Sequence, residues 1–90
     1  MKRIICNFSM FTLNQEVLLL EDENTSPKVI ANSTISELPF AIAGMCDEHD
    51  INNVLLFGNK EYGERLAEDI CKVGALKYSN EKIIVEVKGV

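Results

Sequence analysis

Apolar positions come in short dense runs in the first third of the chain and at helical spacing afterwards, with polar punctuation between. Residues 3–11, RIICNFSMF, are strand formers with little polar interruption, the pattern of a central strand covered on both faces. TLNQ turns the chain, EVLLLED at 16–22 is a second apolar strand, and ENTSP leads into a third, KVIAN at 28–32. Strands joined by turns this short predict an antiparallel meander.

The period then changes. Leu38, Ala41, Ile42 and Met45 with Cys46 recur on one helix face. Thr34 with Glu37 has the spacing of a capping box but would put Pro39 inside the helix, where its ring and missing N–H break a backbone bond. Ser36 as N-cap leaves Pro39 in the first turn and is the predicted start; DEHDINN closes the helix. NVLLFG at 53–58 is an aliphatic strand suited to a buried parallel position, and Asn59 behind Gly58 caps the next helix. In that helix Leu66, Ile70, Val73 and Tyr62 share one face, Glu61, Arg65, Glu68 and Lys72 mark the other, and Gly74 is the predicted left-handed cap. KIIVEV at 82–87 is the last strand.

The element order is therefore β-β-β-α-β-α-β in one α/β domain over residues 1–90. Right-handed crossovers place the fourth strand beside the first and the fifth beside the fourth. The prediction is a mixed five-stranded sheet in the order 3-2-1-4-5 with two helices, the third and fifth strands forming its edges.

Composition narrows the function classes. At 47% hydrophobic and 26% charged the chain is an ordinary globular sequence. Its net charge of −5 repels polyanions and counts against nucleic acid as a partner. No window approaches the roughly 18 apolar residues of a membrane span, and no small-residue cleavage site follows the N-terminal apolar run. A cytoplasmic protein without a membrane partner is expected. Cys6, Cys46 and Cys71 form no CxxC and have no close histidine, so they are expected to be reduced core cysteines rather than a disulfide or zinc set. His49 lies at a helix end, the place for a solvated or dipole-facing histidine.

The element order and the corner LLFGN…GERLAEDI resemble the ribonuclease-H-like fold, shared by nucleases, resolvases and actin-like ATPases. They look equally like the small-subunit ribosomal platform protein. The Lys-, Asn-, Ile- and Glu-rich style also resembles small proteins of phages and prophages. The nuclease resemblance implies carboxylates in the first strand, near the end of the fourth and on a late helix, holding two metal ions about a phosphate. Those positions offer Asn7, then Gly58 and Asn59 with Glu61 nearby, and no third acid, so no catalytic residue or metal ligand is expected. An actin-like ATPase implies glycine-rich phosphate hairpins, whereas NFSMFTLNQ has no glycine. The ribosomal resemblance implies a strongly basic protein, and this one is acidic. No cofactor follows from any of them.

In the predicted order the ends of the first and fourth strands border one crevice, where open α/β sheets take ligands. Asn7, Ser9, Gly58, Asn59, Lys60 and Glu61 are the candidate binding residues, at a helix N-terminus that favours anions. The architectural reading is the better supported of the two: Gly58 permits the turn and Asn59 caps the helix. On the last strand Lys82, Ile84 and Glu86 are candidate interface residues, because an uncovered edge invites a second strand and predicts a homodimer. The expected function is that of a non-enzymatic protein-interaction module, such as a phage accessory factor, docking through a sheet edge or an acidic face. The alternative is a metal-dependent nuclease or nucleotide-binding remnant using the corner of Asn7, Gly58 and Glu61.

Overall fold

The computed structural model describes residues 1–10 and 12–89. The chain runs through β1 (Arg3–Asn7), β2 (Asn14–Leu20), β3 (Lys28–Thr34), a 3-10 turn (Ile35–Glu37), α1 (Leu38–His49), β4 (Asn53–Gly58), α2 (Lys60–Tyr78) and β5 (Ile84–Gly89). The strands form one sheet in the order β3-β2-β1-β4-β5. β2 is antiparallel to both β1 and β3, whereas β4 is parallel to both β1 and β5. This mixed sheet with two helices has the ribonuclease-H-like topology that the sequence predicts.

The core lies between the sheet and the helical layer. Ile4 and Cys6 of β1, Val17 of β2 and Leu56 of β4 meet Leu38, Ile42 and Cys46 of α1 and Ile70 of α2, all at most 1% exposed. Two right-handed crossovers place both helices on the same side of the sheet. The other side stays open, contrary to the expectation of a first strand covered on both faces. In β1 burial alternates, with Ile4 and Cys6 buried and Ile5 only half-buried.

Several boundaries depart from the sequence pattern for local reasons. β1 ends at Asn7 because the Asn7 side chain accepts a hydrogen bond from the Ser9 N–H at 2.9 Å, an Asx turn that takes the chain out of the ladder. Phe11, inside the predicted first strand, lies outside the described residues. Pro39 sits in the first turn of α1 as expected, but Ser36 is not its N-cap. A 3-10 turn intervenes, Glu37 takes the cap position without a side-chain bond, and the Leu38 N–H is satisfied by Ile35 O.

Gly74 is not a cap either. α2 continues to Tyr78 and ends on Ser79 at φ 52°, where the cap N–H bonds back to Gly74 O. Gly74 is buried beneath Ile83: a Cβ there would stand 2.6 Å from Ile83 Cδ1. β5 starts at Ile84 rather than at residue 82, because the Lys82 N–H is drawn to the Asn80 carboxamide at 3.0 Å.

Candidate functional site

Asn59 caps α2 with its side-chain oxygen 2.9 Å from the Tyr62 N–H. Gly58 precedes it at φ 156°, and a Cβ at that position would lie 2.2 Å from the Phe8 ring. The same ring meets Tyr62 edge-on at 5.3 Å between centroids and comes within 3.2 Å of where a Gly63 Cβ would be. Phe8 is held there by its N–H, which bonds Phe57 O at 2.8 Å. An aromatic side chain thus fills the space between the ends of β1 and β4 where a ligand crevice was expected. Lys60 and Glu61 are exposed on the first turn of α2, and Glu61 is engaged by Arg65 at 3.1 Å.

Asn7 and Ser9 line a different space. They border an open pocket of about 480 Å³ between the β1–β2 hairpin, at Met10, Thr12, Asn14 and Gln15, and the open side of the sheet, at Glu16, Leu18 and Asn32. Gly58, Asn59, Lys60 and Glu61 are not among its walls. Gln15 organises the hairpin: it is 3% exposed, and its side-chain N–H groups donate to the Thr12 and Met10 carbonyls at 3.2 and 3.3 Å. The Asn7 oxygen already accepts from both the backbone N–H and the hydroxyl of Ser9. Among the described residues, no three His, Cys, Asp or Glu side chains come together in a metal-binding group.

The cysteines divide. Burial pushes the Cys6 and Cys46 thiols up to about 11, so both are neutral and inert near pH 7. Cys71 is exposed, against the expectation of a core position, and its thiol points at Ile83 O at 3.7 Å. Its pKa is also raised, by partial burial. His49 closes α1, half-buried, with Nε2 3.4 Å from a Glu48 carboxylate oxygen.

The largest feature without a structural partner is the open side of the sheet. Strand alternation turns Arg3 and Ile5, Glu16, Leu18 and Leu20, Leu55 and Phe57, and Ile84, Glu86 and Lys88 onto it. Leu55, in the second strand from the β5 edge, is walled in by its neighbours and only 6% exposed, although no helix covers it. Ile84 is 68% exposed and Val29 on the opposite edge strand 47%. Arg3 reaches Glu86 across β4 at 3.7 Å, which fixes both side chains on this face. Of the predicted interface residues, Ile84 and Glu86 are on this face and on edge strand β5, while Lys82 precedes the strand. Leu18, Ile5 and Leu55 escaped sequence reasoning because VLLL and NVLLF are apolar at both parities; the telling signal is Glu16, which shares the parity of Leu18 and Leu20.

No family model matches the chain, and no curated protein does. Among solved structures, the fold is similar to that of an exopolyphosphatase from Cytophaga hutchinsonii, with a TM-score of 0.50 and 16% sequence identity. The match covers 99% of this chain and 34% of that one, so the chain spans about a third of its length. At that identity the likeness is one of fold alone.

Proposed function

We propose that this protein is an interaction module that docks another protein chain through the open face of its sheet. The observation that supports this is the apolar row of Val29, Leu18 and Ile5, exposed or half-buried on three neighbouring strands with no helix over it, and Leu55 packed beside them. Exposed apolar surface rimmed by polar residues is a mark of interaction sites. A binding role of this kind fits a chain whose predicted corner is filled by Phe8 and whose acids stand apart on exposed helix surface. It needs neither cofactor nor metal. The earlier expectation of an edge or acidic-face contact is thereby moved to the sheet face, with Ile84 and Glu86 retained as part of it.

A photoreactive phenylalanine analogue at Leu18, expressed in the source cell, tests this. A discrete protein adduct from position 18, with none from Leu76, which is 87% exposed on α2, is the expected result. Equal, diffuse labelling from both positions, or none from position 18, overturns the reading.

A further inference from the structure

We propose that the occupant of the open face is a second copy of this chain, packed sheet to sheet in a two-fold pair; this names the partner for the interaction reading and rests on it. The strand register arranges the face in three rows. The middle row is Val29, Leu18, Ile5 and Leu55, ending on Glu86 at the β5 edge. On one side, continuing each ladder by a step, lie Leu20, Arg3, Asn53 and Ile84. On the other lie Asn32, Glu16, Asn7, Phe57 and Lys88.

Charge is distributed over this face in a self-complementary way. It carries two cations, Arg3 and Lys88, and two anions, Glu16 and Glu86, so the net charge of −5 belongs to the rest of the molecule. Turn one copy over about the apolar row, with right-handed crossovers setting the direction in which the row runs. Give the two sheets the angle of about −30° at which aligned sheets pack, with strands ~4.8 Å apart and sheets ~10 Å apart. The middle rows then cross at Ile5. Each Arg3 comes to stand over the other copy's Glu16, and each Glu86 over the other copy's Lys88, within about 3 Å in the plane of the sheet on that spacing. Side chains of these lengths span the gap, so one rotation satisfies both the apolar row and all four charges. The opposite angle would set Arg3 over Phe57 instead. A foreign partner would have no reason to match this arrangement.

The area is sufficient. Five strands at ~4.8 Å spacing and ~20 Å in length present roughly 500 Å² per copy, so a pair buries on the order of 1,000 Å², the lower bound for a specific interface. Edge-to-edge pairing through β3 or β5 is the rival geometry. It leaves Arg3 and Glu16 untouched, because β1 and β2 are interior strands.

The experiment is sedimentation of the purified chain over a dilution series, beside Arg3→Glu, Glu16→Arg and the double variant, with circular dichroism confirming the fold of each. A dimer is expected for the parent, weakened about ten-fold or more by either single reversal and restored to within about three-fold by the double. Glu16→Arg alone carries the test if Arg3→Glu does not fold, since Glu16 is exposed at its strand position. A parent monomeric throughout overturns self-pairing, as does a dimer indifferent to both reversals, which would be an edge dimer. The docking reading is judged separately by the adduct from Leu18: a monomer in solution with a discrete adduct other than the dimer keeps docking and removes self-recognition.

Discussion

Phe8 decides what the corner between β1 and β4 is. Its ring occupies the position a Gly58 Cβ would need, 2.2 Å away, and an aromatic ring packed against Tyr62 has no room to yield. Gly58→Ala is therefore expected to cost about 1–3 kcal/mol from overpacking, in addition to the strain of φ 156° in a residue with a side chain, read by urea unfolding. Phe8→Ala opens the space but empties an aromatic site, so the double variant should regain part of the Gly58→Ala loss. Ile70, fully buried on the inner face of α2, should cost about 2–5 kcal/mol as Ile70→Ala. The buried thiols predict a pH effect. Cys6 and Cys46 rise from 9.0 to about 11 on folding because the thiolate is desolvated. Above pH 9 the unfolded chain releases protons that the folded one retains, so stability is full below pH 9 and falls as pH rises towards 11. Replacing both with serine or alanine should flatten that decline. At neutral pH a thiol reagent should label Cys71 in the folded chain, slowed by its raised pKa, and the other two only on unfolding.

At the scale of elements, α2 shows a packing constraint overriding helix propensity. Gly63 is in its first turns, where alanine would ordinarily gain up to about 1 kcal/mol. A Cβ there would stand 2.5 Å from Val87 Cγ1, and valine has little rotamer freedom with which to move away. Gly63→Ala should thus lower the unfolding midpoint; a rise would mean that β5 shifts freely over the helix. The same element shows what a sequence can disclose. The start of α2 is legible to the residue, because the Asn59 cap is local chemistry, as are the favourable pairs Glu61 with Arg65 at 3.1 Å and Glu68 with Lys72 at 3.8 Å. Its end is not: a glycine at position 74 reads the same whether it turns the chain or makes room for Ile83, and only the tertiary contact distinguishes them. The strand order is legible because short turns and the hand of a crossover leave few topologies. The open face is not, since apolar runs such as VLLL hide their alternation. The candidate corner divides for the same reason. Asn7 and Ser9 face the hairpin pocket and Gly58 faces Phe8, a separation created by one side chain's rotamer rather than by spacing along the chain.

For the whole molecule, the distribution of charge matters more than its sum. Among the described residues, no helix is long and apolar enough to cross a membrane. Acids occupy the exposed side of α2, the end of α1 and the β2–β3 turn, so the helical layer and one end of the molecule carry the negative potential while the open face is balanced. Dispersed in this way they attract cations only diffusely. A two-ion catalytic centre would instead need several carboxylates converging on ions about 4 Å apart. The carboxylate closest to the resemblance-implied set, Glu61, is exposed and paired with Arg65, while Asn7 has its oxygen occupied by Ser9. The expectation is that magnesium or manganese leaves the thermal unfolding midpoint where sodium chloride of equal ionic strength leaves it, and this has a scale. A site with a dissociation constant of about 0.5 mM, at 5 mM metal, would stabilise the fold by RT ln 11, about 1.4 kcal/mol. For a domain of this size that raises the midpoint by roughly 6–11 °C. A scan at several metal concentrations resolves such a shift easily. Diffuse screening of the acidic surface gives a small rise that sodium chloride reproduces at equal ionic strength, whereas a built site gives a saturable rise that sodium chloride does not. A saturable rise abolished by Glu61→Ala, accompanied by cleavage of single-stranded DNA or RNA, would restore the metal-dependent alternative. An unchanged midpoint and intact nucleic acid would remove the metal-dependent alternative.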